Sequence, residues 1–77
     1  MMDDGAYRKF RELLVEMRKA ACLTQSELSQ RLNRPQSFVS KYERGERRLD
    51  VVEFGKVARA LGVDPAKLLE RFYRETQ

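Results

Sequence analysis

Six basic side chains, Arg31, Arg34, Lys41, Arg44, Arg47 and Arg48, fall within 18 consecutive positions that hold only two acids, Glu43 and Glu46. The chain's net charge is +4, so this stretch carries all of it and the remaining residues balance. Guanidinium and ammonium groups gathered in this way bind anions, and a polyanion such as nucleic acid docked on one face is the first candidate. The other reading is a solvated charged surface on a small, charge-rich domain. Catalysis has little to draw on. Histidine is absent and Cys22 is the single cysteine, which removes Ser-His-Asp and Cys-His nucleophile pairs, zinc sites built on His or Cys, and an internal disulfide. No pair of acids stands at a spacing that suggests acid–base work. An enzyme is therefore not expected, nor is a metal, a cofactor or a small-molecule effector.

Positioning those charges falls to a single domain, residues 1–77, because a chain of 77 residues closes only one core. The longest apolar run, Ala20 to Leu23, is far short of the roughly 20 residues that span a bilayer, and Met-Met-Asp-Asp-Gly has no signal-peptide pattern. A reducing cytoplasm is the expected setting, with no membrane contact.

Helical periodicity runs from end to end, so the expected class is all-α. Tyr7, Phe10, Leu13, Leu14, Met17 and Ala21 form one apolar stripe on a helix from about Asp4 to Ala21, with Asp3 or Asp4 as its N-cap. Thr24-Gln25-Ser26-Glu27 reads as a capping box that starts a second helix, on which Leu28 and Leu32 face inward while Gln25, Ser29 and Gln30 stay free. Asn33-Arg34-Pro35 breaks the chain before a short third helix, Pro35 to about Glu43, that points Val39 and Tyr42 at the core and ends at Gly45. Asp50 and Glu53 repeat the capping logic for a fourth helix with the stripe Val52, Phe54, Val57, Ala58 and Leu61, closed by Gly62. Gly55 inside that helix suggests close packing against another backbone. Asp64-Pro65 opens a fifth helix, about 64–76, carrying Leu68, Leu69, Phe72 and Tyr73.

Two short capped helices joined by a tight turn, the second polar outside and followed by a basic loop, make a helix-turn-helix over about 24–43. The run Met17-Arg18-Lys19-Ala20-Ala21-Cys22-Leu23-Thr24-Gln25-Ser26-Glu27-Leu28-Ser29-Gln30-Arg31-Leu32 resembles the phage repressor and Cro-like proteins, also called the xenobiotic-response-element type. So do Gln36-Ser37-Phe38-Val39-Ser40-Lys41-Tyr42-Glu43-Arg44-Gly45 and Ala60-Leu61-Gly62-Val63. The resemblance covers roughly residues 7 to 70 and implies a compact five-helix, repressor-like domain that binds double-stranded DNA through the major groove.

Residue by residue, the resemblance implies that Gln36, Ser37 and Lys41, which share the side opposite Val39 and Tyr42, read bases. Gln matches adenine, Lys guanine, and Ser several partners. Gln25 would clamp a phosphate and brace Gln36, with Ser40, Arg44, Arg47 and Arg48 as further phosphate or positioning contacts, Arg47 being the one that is alternatively a plain helix-end cation. Arg18 and Glu43 would pair across the first and third helices. Phe38 either covers the edge of the core or touches a thymine methyl. Cys22 stands where the family usually has Gly in a left-handed conformation. One recognition helix reads too few base pairs for a unique site, so a homodimer on a two-fold operator is expected, with Leu69, Phe72 and Tyr73 as its interface. The implied role is a transcriptional repressor at the nucleoid. A restriction-modification controller or antitoxin-type autoregulator is an alternative within the class, and a protein-interaction adaptor of the same fold is one outside it.

Overall fold

The computed structural model describes residues 5–76, which fold as α1 (Gly5–Ala20), α2 (Gln25–Leu32), α3 (Gln36–Arg44), α4 (Val51–Ala60) and α5 (Pro65–Glu75). Both capping boxes form. The Glu27 amide donates to Thr24 Oγ1 at 3.0 Å and the Thr24 amide to Glu27 Oε1 at 2.8 Å, while the Glu53 and Asp50 amides make the reciprocal pair at 2.7 and 3.1 Å. Each satisfies two helix-end donors that would otherwise lack partners. Asp64 caps α5 by accepting from the Ala66 amide at 2.9 Å. The cap expected from Asp3 or Asp4 lies outside the described residues.

The first four helices also end alike. Cys22, Asn33, Gly45 and Gly62 all have a positive φ, and the amide one residue further on reaches back to a carbonyl in the last turn: Leu23 to Arg18, Arg34 to Ser29, Glu46 to Lys41 and Val63 to Ala58, at 2.9–3.2 Å. This closure satisfies helix-end carbonyls and turns the chain sharply. Cys22 makes the turn that glycine would make more easily.

The helices enclose one core of Leu13, Leu14, Leu28, Val39, Tyr42, Val57, Ala58 and Leu68, with Phe10, Phe38, Phe54 and Leu61 at its margins. Three expectations are corrected. Val52 was assigned to the inward stripe of α4, yet it is 63% exposed, because Phe54, Val57, Ala58 and Leu61 already fill the inward arc and Val52 falls outside it. Ser29, expected to face solvent, is only 1% exposed; its small side chain lets α2 and α3 approach, and its hydroxyl lies 3.5 Å from the Gln36 carbonyl. Among the described residues, no foreign backbone approaches Gly55. A Cβ there would touch only the guanidinium of Arg59, at 3.4 Å.

Candidate nucleic-acid interface

Nine residues of α3 make a rod about 13 Å long, matched to a major groove ~12 Å wide. Val39 and Tyr42 turn one side of it into the core, and Gln36, Ser37, Lys41 and Arg44 are exposed on the other. Ser40, half-buried, donates its hydroxyl to the Ser37 carbonyl at 3.2 Å. Gln36, Ser37 and Lys41 thus stand together, free to present an amide, a hydroxyl and an ammonium group.

Glu43 fixes the angle of this helix. Its carboxylate accepts from Arg18 Nε at 2.8 Å, Arg18 Nη2 at 3.1 Å and Gln25 Nε2 at 2.8 Å, tying α1, α2 and α3 to one side chain. The Arg18 and Glu43 side chains are only 12% and 6% exposed. Hydrogen bonding to Glu43 raises the Arg18 pKa above its ordinary value, so the guanidinium keeps its charge. Arg18 Nη1 also donates to the Leu23 carbonyl at 2.8 Å, locking the α1–α2 turn. The Arg18–Glu43 pair is thus present, but the amide of Gln25 donates to Glu43 rather than bracing Gln36. Arg11 Nη1 donates to the Glu43 carbonyl at 3.1 Å, placing a cation at the negative end of the α3 dipole. Its guanidinium lies so close to Gly45 that a Cβ there would stand 2.9 Å from Arg11 Cζ.

The flank of α3 towards α4 is built differently. Phe38 is buried, its ring lying 4.3 Å from the Arg34 guanidinium and 4.9 Å from that of Arg47. At 6% exposure and with two cations against it, the ring packs at the core edge. Both arginines reach Glu53: Arg47 through Nη1 at 2.9 Å and Nη2 at 2.6 Å, Arg34 through Nη2 at 3.1 Å. With Arg47, the Asp50 amide and Arg34 all donating to it, the Glu53 carboxyl is held down to about 2. Arg44 pairs with Glu46 at 3.1 Å in open solvent. Arg48 stacks 4.2 Å from the centre of the Tyr7 ring, whose hydroxyl accepts from the Leu49 amide at 3.2 Å. Tyr7, which the apolar stripe of α1 contains, grips the basic loop because the fold joins residues 42 positions apart.

On the far side, Leu69 and Phe72 are half-buried and Tyr73 is 60% exposed. Phe72 packs edge-on against Phe10, ring centres 5.4 Å apart. An open groove of about 410 Å³ runs here between α1, α5 and the start of α4, floored by Phe10, Phe54 and Phe72. Val51 and Val52 stand exposed beside it. No helix among the described residues is long and apolar enough to cross a membrane.

The Helix-turn-helix family model matches residues 14–68. Among solved structures, an XRE-family like protein from Pseudomonas syringae pv. tomato str. DC3000 superposes with a TM-score of 0.89 at 51% identity, over 94% of this chain and 88% of that one. Two structures of the restriction-modification controller protein C.Esp1396I, a point mutant and the wild type, superpose at 0.85 and 0.84. Their identities are 23% and 20%, covering 96% and 95% of this chain and 94% and 96% of theirs; that likeness bears on the fold alone. No curated protein matches the chain.

Proposed function

Because the chain belongs to the XRE type of helix-turn-helix proteins, a family of DNA-binding regulators, we propose that it binds double-stranded DNA sequence-specifically and represses transcription as a homodimer on a two-fold operator. The observation that carries this reading is the exposed set Gln36, Ser37 and Lys41 on a groove-sized helix whose angle is set by the nearly buried Arg18–Glu43 pair. Gln36 suits adenine, Lys41 guanine, and Ser37 either strand's acceptors or donors. Gln25, held by Glu43 at the first turn of α2, meets one phosphate where backbone amides and the helix dipole favour an anion. Ser40, Arg44 and Arg48 serve as further backbone contacts; the Arg44–Glu46 pair is exposed, so it yields readily to a phosphate. Arg47 lies on the same flank, tied to Glu53.

Two-fold pairing doubles the number of bases read, with half-sites ~34 Å apart. The groove beside Tyr73, Val51 and Val52 supports a second copy as its occupant, since exposed apolar side chains around an aromatic floor favour self-association. Leu69 and Phe72 shape that groove while packing on the monomer, so Tyr73→Glu tests the interface more cleanly than a change at Phe72. Sedimentation should then give a monomer with an unchanged helical spectrum. Occupying an operator suffices to block a promoter, which favours repression over activation.

The test is selection of bound sites from random duplexes, followed by titration of Gln36→Ala. Loss of ~1–3 kcal/mol on the selected site, with relaxed preference at one base, is expected. Equal loss on selected and random duplex refutes base reading by Gln36. Negligible binding of the wild type at any salt concentration refutes the DNA reading and favours an adaptor.

A further inference from the structure

Glu53 sits at the start of α4 with four hydrogen bonds converging on it, from Arg34, twice from Arg47, and from the Asp50 amide. The last of these is the capping bond, which needs an acceptor but no charge. The arginine contacts are a separate matter. Phe38 also contacts both guanidiniums on this flank of α3, its ring lying 4.3 and 4.9 Å from them. What Glu53 adds is neutralisation. It occupies, with the same paired-oxygen geometry, the place a phosphate would take beside a bidentate arginine.

Resting on the DNA-binding reading above, we propose that Glu53 is an internal competitor of the DNA backbone, withholding Arg34 and Arg47 from phosphate and so keeping affinity for DNA of any sequence low. The flanks of α3 divide accordingly. Gln25 holds the groove edge on the α2 side, while the two cations on the α4 side are already matched by a carboxylate that belongs to the fold. Unlike Glu46, which pairs with Arg44 in open solvent, Glu53 is anchored by the capping bond and by a side chain only 13% exposed. This revises the part expected of Arg47 from phosphate ligand to restrained cation. It also gives Arg34 a partner and a role beyond the break between α2 and α3. A regulator gains from such restraint, since sequence-independent affinity sequesters it on random DNA.

Glu53→Gln separates the two jobs: the amide oxygen still accepts from the Asp50 amide, but the negative charge is gone. Binding to a random-sequence duplex is measured from 50 to 200 mM salt for the wild type and the variant, alongside thermal melting. The variant is expected to bind more tightly at 50 mM. The slope of log K against log salt should steepen by ~0.9 for each arginine released, an extra ~3.5-fold loss over that salt range for one and ~12-fold for both. A variant that melts like the wild type with an unchanged or shallower slope overturns the proposal and makes the cluster a scaffold. If Glu53→Gln melts much lower, Arg34→Gln/Arg47→Gln decides. An unchanged wild-type slope supports restraint, and a slope shallower by 0.9 or more shows that the arginines already reach phosphate and refutes it. A wild type that binds no duplex refutes the underlying DNA reading instead.

Discussion

Removing the Glu43 carboxylate is the most informative single perturbation, because three helices depend on it. In Glu43→Ala, Arg18 loses two hydrogen bonds and keeps only the Leu23 carbonyl, and Gln25 loses its acceptor. Breaking a buried pair by deleting one partner costs ~3–5 kcal/mol, whereas exposed pairs are worth ~0–1. At 12% and 6% exposure the pair belongs near the lower end of the first range, so a cost of about 3 kcal/mol is expected. A domain of this size holds only ~4–12 kcal/mol in all, and each kcal/mol moves Tm by ~4–8 °C, so melting should fall by ~12–24 °C. The double variant Arg18→Met/Glu43→Leu separates stability from function. A well-packed apolar replacement of a buried pair is close to neutral, so Tm should return to within ~5 °C of the wild type. DNA affinity should stay about tenfold lower if Gln25 meets a phosphate as proposed, because its amide is no longer held. Thermal melting and a duplex titration read both. A loss below ~1 kcal/mol in Glu43→Ala would mean that the pair behaves as a surface pair. Wild-type affinity in the double variant would mean that Gln25 needs no positioning.

Cys22 pays for a left-handed turn at φ 59°; Cys22→Gly should relieve that strain and, after the larger chain entropy of glycine is subtracted, raise stability by about 0.5–1 kcal/mol in thermal melting. Gly55→Ala meets only the flexible end of Arg59 and should add up to ~1 kcal/mol from helix propensity; a loss would mean that a partner backbone packs there. The hydroxyl of Tyr42 is buried with no hydrogen-bond partner among the described residues, and burial pushes its pKa up, so Tyr42→Phe should melt at or above the wild-type temperature, whereas a loss above ~1 kcal/mol would reveal a hidden partner. Glu53, held near 2 in the fold against 4.5 when free, contributes stability that is present above pH ~4.5 and disappears as pH falls towards 2. Acid melting curves of Glu53→Gln should lack that part of the decline.

The helix boundaries were legible because their causes are local. Thr24 with Glu27, Asp50 with Glu53, and Asp64 before Pro65 each satisfy helix-end amides within three residues, a distance over which sequence and structure are nearly the same information. The Arg18–Glu43 pair, 25 residues apart, was reached through family resemblance and not through pattern. What stayed hidden follows from the same distinction. Glu53 showed its capping role, three residues in reach, but not its arginines, which come from 6 and 19 residues away. Val52 stands two positions before Phe54, about 200° round the helix, so it lies opposite the face that Phe54, Val57 and Leu61 turn to the core. Ser29 is polar and buried because α2 and α3 cross there, which no single-helix pattern encodes.

Charge shows most plainly why a count is not a field. Six basic residues in one stretch suggest six contacts to a polyanion, but in the fold Arg34 and Arg47 face Glu53, and Arg44 faces Glu46. Among the described residues, Arg31, Lys41 and Arg48 have no acid within ion-pair distance: Arg31 donates to the Ala60 carbonyl, Arg48 covers Tyr7, and Lys41 stands on the outer face of α3. The positive field of this stretch therefore rests on fewer cations than the composition offers: Lys41 on α3, Arg48 in the loop after it and Arg31 on α2. Acids stand beside most of the arginines of this stretch, and in the reading proposed above the choice of site falls to Gln36, Ser37 and Lys41.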